Sequence, residues 1–62
     1  MDVKAIRTKA GLSQAEFARR YGFNVRTLQY WKSGGAQPLS PVRAYLTLID
    51  HFPETVAKAL KA

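Results

Sequence analysis

Residues 12–34 read LSQAEFARRYGFNVRTLQYWKSG, and this stretch decides the fold of the 62-residue chain. Ser13 and Glu16 form the pattern S-x-x-E, which is a capping box that starts a helix. Gly22 can end that helix in the left-handed conformation, and Asn24 can cap a second helix immediately afterwards. Two short helices joined by so tight a turn predict a helix-turn-helix.

The rest of the chain is predicted to be helical as well. Apolar residues recur every three and four positions, so we expect further helices and no strands. The five predicted helices cover residues 3–9, 14–21, 25–32, 41–51 and 53–60. Because the connections are short, we predict one all-α domain over residues 1–62, a compact five-helix bundle with its helix-turn-helix at residues 13–33.

Several helix ends are marked by residues with a conformational preference. Asp2 and Ser40 are the predicted caps of the first and fourth helices, since short polar side chains accept hydrogen bonds from free N–H groups. Gly11 is predicted to stop the first helix. Pro41 suits the first position of the fourth helix, and Pro53 suits the opening of the fifth.

The net positive charge of the chain comes from its first two thirds. Residues 1–43 hold eight Lys and Arg against two acids, whereas residues 44–62 hold two of each, so the whole net charge of +6 lies in the first part. A basic face suits phosphate contacts, and a solvated surface explains the same charge. Arg19 and Arg20, on the outer side of the second helix, are interpreted as solvated.

Composition excludes several classes of protein. The chain has no Cys, so it has neither disulfides nor a thiolate metal site. It lacks an apolar run of membrane-spanning length and a signal-peptide core, which predicts a soluble cytoplasmic protein. Asp50 and His51 project about 100° apart on a helix and make no catalytic pair. We therefore expect no enzyme, no cofactor and no metal.

The predicted third helix has two different faces. At about 100° per residue, Leu28 and Trp31 share one side and are the predicted anchors against the second and fourth helices. Phe17, Ala18 and Tyr21 make one apolar stripe on the second helix, and helical spacing along the fourth is followed by Val42, Tyr45, Leu46, Ile49 and Phe52. The candidate base-contacting residues on the outward side of the third helix are Val25, Arg26, Gln29, Tyr30 and Ser33.

The outward side chains include no acid and suit base edges in the major groove of DNA. Arg26 can donate two hydrogen bonds to one guanine, Gln29 can pair with adenine through two hydrogen bonds, and Val25 can contact a thymine methyl group. Taken without the helix-turn-helix, ordinary helix surface explains Arg26 and Gln29 more often, and a core contact near the cap explains Val25. Tyr30 is open, because it can pack on the domain edge or lie along a base or sugar.

Phosphate contacts are predicted around this outward face. Free N–H groups and the helix dipole attract anions at helix starts, and two cations flank the loop between the third and fourth helices. The predicted phosphate-contacting residues are Gln14, Asn24, Thr27, Lys32, Ser40 and Arg43.

Residues 5–49 resemble the Cro/C1-type, or Xre-type, helix-turn-helix domain of phage and bacterial repressors. The features that match without a gap are Gly11-Leu12-Ser13-Gln14, Ala18, Gly22, Leu28, Trp31 and Gly34. The resemblance implies a lambda-repressor-like fold that acts as a homodimer on a two-fold operator in bacterial or phage double-stranded DNA. The residues to which it assigns DNA contacts are Val25, Arg26, Gln29, Tyr30, Gln14, Asn24 and the segment around Ser40 and Arg43. The tail, which opens with Pro53-Glu54, is similar to small antitoxin regulators of the HigA and MqsA kind.

The chain departs from that family at one position. The family usually carries an acid directly after the position of Trp31, where it pairs with an Arg of the first helix. Here Lys32 stands at that position and faces Arg7, so the two charges are alike. We expect no salt bridge there and expect both cations to turn toward solvent or phosphate, at little cost to the fold.

The sequence predicts a homodimeric repressor that reads a palindromic operator. One recognition helix covers only a few base pairs, and two multiply affinity and specificity. The candidate dimer contact is the last helix, residues 53–61, where Phe52, Val56 and Leu60 recur every four residues. The same spacing is equally explained if these side chains cover the core. The competing hypothesis is a protein-interaction module, such as an antitoxin that binds a toxin.

Overall fold

The chain folds into five helices in a computed structural model that describes residues 2–61. The helices are α1 (Val3–Lys9), α2 (Gln14–Tyr21), α3 (Val25–Lys32), α4 (Ser40–His51) and α5 (Pro53–Lys61). No strand occurs in this part of the chain, so the predicted all-α fold is confirmed. None of the helices between residues 2 and 61 is long and apolar enough to cross a bilayer.

The first two helices begin at the side-chain caps that their sequence predicts. Asp2 Oδ1 accepts a 3.1 Å hydrogen bond from the Ala5 N–H. In the capping box of α2, the Glu16 N–H donates to the Ser13 hydroxyl, and the Ser13 N–H donates to the Glu16 carboxylate, both over 3.1 Å. These bonds satisfy main-chain donors that have no partner inside the helix.

The turn between α2 and α3 depends on Gly22, whose φ of 79° lies in the left-handed region. The N–H groups of Gly22 and Phe23 both donate to the Ala18 carbonyl, which ends α2. α3 follows at once, because Asn24 Oδ1 accepts a 2.8 Å hydrogen bond from the Arg26 N–H. The predicted helix-turn-helix therefore forms from two capped helices and one left-handed glycine.

The prediction of Ser40 as the cap of α4 is wrong by one residue. Leu39 has an extended backbone (φ −69°, ψ 160°), and its carbonyl accepts a 2.9 Å hydrogen bond from the Arg43 N–H. Ser40 is thus the first helical residue, and its hydroxyl accepts a 3.0 Å hydrogen bond from the Arg43 guanidinium. Pro41 lies in the first turn, where its missing N–H has no helical partner to lose.

The core is built from aromatic and aliphatic side chains of α1 to α4 and of the turn between α2 and α3. Phe17, Leu46 and Ile49 are fully buried. The Phe23 ring stacks on that of Phe17 with centroids 5.7 Å apart, and Trp31 meets Phe23 edge-on at 5.7 Å. An aromatic residue of the turn therefore joins α2 to α3 through the core.

α3 packs on α1 and α2, and the contact with α1 was not predicted. Leu28 of α3 also shares the core with Leu46 and Ile49 of α4. The centroid of the Phe23 ring lies 5.6 Å from that of Tyr45 in α4 and 5.7 Å from that of Trp31 in α3. The turn between α2 and α3 thus adds a contact with α4.

Phe52 follows the helical spacing of the apolar residues in α4 but lies just beyond the last residue of the helix. The backbone leaves the helix at this residue, which is the C-cap of α4 with a φ of −134°. Its ring is consequently 58% exposed. α5 begins directly afterwards and packs on α2 and α4, with Val56 and Ala57 partly buried against the core.

Candidate nucleic-acid interface

α3 presents one buried and one exposed face. Leu28 is only 3% exposed and belongs to the core. Four of the five predicted base-contacting residues are exposed, namely Arg26, Gln29, Tyr30 and Ser33. α3 contains no acid, so its free surface offers a guanidinium, an amide and a phenol without a carboxylate among them.

Val25 and Ser33 are less free than the other three predicted base-contacting residues. Val25 is half-buried and packs against the core, so a core contact accounts for part of its side chain. Ser33 is the C-cap of α3, and its hydroxyl donates a 3.0 Å hydrogen bond to the Tyr30 carbonyl oxygen. The Ser33 oxygen can still accept a hydrogen bond, whereas its proton is engaged at the helix end.

The Tyr30 ring lies against the main chain of the loop that follows α3. A side chain at Gly35 would occupy the space that this ring fills. Tyr30 nevertheless remains 57% exposed. One side of the ring thus packs on the domain edge, which is one of the two alternatives open from the sequence, while the rest stays free.

Two predicted phosphate-contacting residues meet at one cleft. Gln14 and Lys32 line a cleft of about 390 Å³ where α1, α2 and α3 come together. Lys4 and Arg7 of α1 line the same cleft, and Trp31 forms part of its apolar wall. The cleft therefore gathers three cations near the start of α2. Sequence analysis missed Lys4, because the contact of α1 with α3 was not predicted.

The expectation that Arg7 turns toward solvent or phosphate is wrong. Arg7 is half-buried, and its guanidinium donates a 2.8 Å hydrogen bond to the carbonyl oxygen of Leu12 in the connection between α1 and α2. A main-chain carbonyl outside a helix requires a donor, and this guanidinium supplies it. Lys32 is exposed and stays available to an outside anion.

The remaining predicted phosphate-contacting residues surround the other end of α3 and the start of α4. The Ser40 hydroxyl and the Arg43 guanidinium are joined by their 3.0 Å hydrogen bond. Asn24 uses its side-chain oxygen to cap α3, which leaves its amide hydrogens free to donate. Thr27 is half-buried on α3.

Three of the four acids of the chain have partners outside α3, and one of them, Asp2, also lines the cleft beside the three cations. Asp2 and Glu16 cap α1 and α2, and the bond from the Ser13 main-chain N–H, followed by the Ser13 hydroxyl, lowers the pKa of the Glu16 carboxyl. Asp50 pairs with Lys9 at 3.2 Å, the one ion pair within residues 2–61. The cations of α3 are therefore not neutralised by an ion pair in that part of the chain. No three His, Asp or Glu side chains among the described residues are grouped to hold a metal ion.

Comparison with known proteins agrees with this geometry. Residues 3–44 match the helix-turn-helix family. The chain is also similar to a crystal structure described as that of an HTH XRE-family like protein from Agrobacterium tumefaciens. The two share 43% sequence identity, 94% of each chain is covered, and the TM-score is 0.91. No curated relative matches the chain.

The chain belongs to the helix-turn-helix family of the Cro/C1, or XRE, type. It is a DNA-binding protein of the transcription-regulator class, whose partner is double-stranded DNA. Proteins of this family are typically not enzymes. The resemblance found in residues 5–49 is thereby confirmed, whereas the likeness of the tail to small antitoxins stays a prediction.

Proposed function

We propose that the protein is a homodimeric transcriptional repressor that reads a palindromic operator through the major groove. The observation that carries the proposal is the division of α3 into a buried side at Leu28 and an exposed, acid-free side. A helix held in this way can enter the groove without giving up its packing on the domain. Repression follows from steric occlusion of a promoter, since nothing in the five helices resembles an activating segment.

The readers of sequence are the outward residues of α3. The Arg26 guanidinium is exposed and forks onto the O6 and N7 of guanine, while the exposed Gln29 amide pairs with adenine. The exposed part of the Val25 side chain contacts a thymine methyl group, and the Tyr30 ring lies along a base or sugar. Ser33, at the end of the helix, accepts a hydrogen bond from a base edge or from bridging water.

The phosphate contacts flank these readers on both sides. At one end, Gln14, at the start of α2, and Lys32 bind the phosphates of one DNA strand. Both line the cleft between α1, α2 and α3, called here the basic cleft. At the other end, Arg43 and Ser40 act together, because their hydrogen bond fixes the guanidinium near the start of α4. The side-chain amide hydrogens of Asn24 and the hydroxyl of Thr27 are the remaining proposed phosphate contacts. These contacts set the register of the protein on DNA but do not read sequence.

The dimer contact is the apolar surface near the C-terminus. Phe52 and Leu60 are 58% and 54% exposed, and Leu48 of α4 is 52% exposed. Val56 packs partly against the core, so it offers the partner only the remainder of its side chain. A second copy of the chain is the proposed occupant because one recognition helix reads too few base pairs for a specific operator.

A second candidate function is favoured by the same exposed side chains. Leu48, Phe52 and Leu60 suit a different protein equally well, as in an antitoxin that binds a toxin. The two functions are compatible, because an antitoxin can also repress its own operon. They differ in what the isolated protein does: the homodimer selects a palindrome unaided, whereas a module that needs its partner does not.

Selection from random double-stranded DNA, followed by sequencing, tests the proposal. We expect a palindrome to emerge, with half-sites whose centres lie about 10 base pairs, or one helical turn, apart. A single enriched half-site would contradict the homodimer. Failure to enrich any sequence would contradict sequence-specific binding and would favour the partner-dependent module.

A further inference from the structure

Gly35 is glycine for a reason other than its backbone conformation. Among residues 2–61, the glycines with positive φ are Gly11, Gly22 and Gly34, so the backbone at Gly35 does not exclude a larger residue. A Cβ built on Gly35 would lie 2.6 Å from Cδ1 and 2.8 Å from Cζ of Tyr30, and closer still to Cε1. The ring of Tyr30 therefore occupies the space of the missing side chain.

The main chain holds Tyr30 at the same place. Its carbonyl oxygen accepts a 3.0 Å hydrogen bond from the Gly35 N–H and another of 3.0 Å from the Ser33 hydroxyl. The end of α3 and the loop after it thus close on Tyr30 from two sides. Even so, the residue is 57% exposed, so the part of the ring that faces away from Gly35 is free to contact another molecule.

We propose that Gly35 is a positioning residue that sets the orientation of Tyr30 for contact with DNA. This inference rests on the proposed function, because it takes Tyr30 to be part of the interface. A ring that is already ordered loses little rotamer freedom when it meets a sugar or base, and such ordering otherwise costs affinity. The absence of a side chain at Gly35 therefore raises affinity without any contact from Gly35 itself.

The substitution Gly35→Ala isolates this effect. The three atoms nearest to the added methyl group all belong to the Tyr30 side chain, which can rotate away, so we expect the fold and its midpoint in urea to stay unchanged. Gly34→Ala is the matched control for the backbone, because a φ of 81° strains any L side chain. That variant should lose stability, whereas Gly35→Ala should not.

The position of the ring is tested without DNA by NMR. In the wild type, we expect nuclear Overhauser effects between the Tyr30 ring and the Gly35 α protons, with those protons shifted by the ring current. Tyr30→Ala should abolish the shift. Wild-type α protons with no contact to the ring would overturn the inference at this step.

The effect on DNA is tested by a double-mutant cycle on the selected operator. We expect Gly35→Ala to weaken binding by about 2- to 10-fold, the range for one freed side chain. In a Tyr30→Ala background, Gly35→Ala should cause no further loss. Wild-type affinity in the Gly35→Ala variant, or an equal loss in both backgrounds, would overturn this inference alone. A wild-type chain that prefers no sequence would overturn the proposed function as well.

Discussion

The phenolic hydroxyl of Tyr45 in α4 donates a 2.8 Å hydrogen bond to the carbonyl oxygen of Tyr21, the last residue of α2. Tyr21 in turn donates through its own hydroxyl to the Pro53 carbonyl at 3.0 Å. The Tyr21 carbonyl, at the C-terminal end of α2, has no partner within that helix, so the Tyr45 hydroxyl satisfies a group that the fold partly buries. Two tyrosines thus fasten the helix-turn-helix to α4 and α5.

Tyr45→Phe removes one of these bonds with almost no change in shape. We expect a loss of about 0.5–1.5 kcal/mol in the free energy of unfolding, because the Tyr21 carbonyl loses a part-buried donor. Urea denaturation measures it. Tyr30→Phe is the control, since its ring is exposed and no hydrogen bond from its hydroxyl occurs within the described residues. Equal stability of Tyr45→Phe and the wild type would show that the bond contributes nothing.

The same bond predicts a dependence on alkaline pH. Burial, followed by the neighbouring Tyr21, raises the pKa of Tyr45 above its ordinary value of 10.0. A group whose pKa is higher in the folded state contributes stability that is complete below the unfolded pKa and is lost as pH rises through the folded pKa. We expect the urea midpoint to fall above about pH 10, and to fall less steeply in Tyr45→Phe. Identical slopes for the two proteins would remove Tyr45 as the cause.

The local parts of this fold follow from sequence because they depend on residues a few positions apart. Ser13 with Glu16, and Gly22 with Asn24, define their caps and turn whatever surrounds them. Ser40 was misplaced by one position, because the residue that precedes a helix is decided by which carbonyl accepts the first bond. Helix boundaries shift by this much between otherwise equivalent descriptions.

Contacts between helices could not be read in the same way. The bond from Arg7 to the Leu12 carbonyl and the packing of Tyr30 on Gly35 depend on how the loops turn. Whether Phe52 covers the core or stays exposed could not be predicted either, because its environment depends on how α5 turns away from α4. Helical spacing predicts that the candidate base-contacting residues share one face of α3. The contacts that hold Val25, Tyr30 and Ser33 in place are visible only in the folded structure.

The dimer surface is tested by Phe52→Gln combined with Leu60→Gln. Both side chains are more than half exposed, so we expect the double variant to fold, and the neutral replacements leave the charge facing DNA unchanged. Analytical ultracentrifugation should show a monomer at concentrations where the wild type is a dimer, with weaker operator binding. Thr55→Gln, exposed on the same helix, should behave as the wild type. A wild type that sediments as a monomer at high concentration would contradict the dimer.

The role of Lys32 in the basic cleft is tested by the salt dependence of binding. Lys32→Ala should weaken binding to operator and random DNA alike and should lower the slope of log K against log salt by about 1. Lys58→Ala removes the same charge from α5, which lies outside the proposed interface, and should leave the slope nearly unchanged. Equal changes in the two variants would mean that overall charge, rather than the cleft, attracts DNA.

The central claim is that the exposed side of α3 reads base pairs, and Arg26→Ala tests it most directly. The measurement is the affinity of wild type and variant for the operator and for every single-base-pair change within one half-site. We expect Arg26→Ala to lose about 1–3 kcal/mol on the intact operator and to lose discrimination at one base pair per half-site, while preferences elsewhere persist. An equal loss on all the duplexes, with discrimination intact at each position, would contradict the claim and would make Arg26 a phosphate contact.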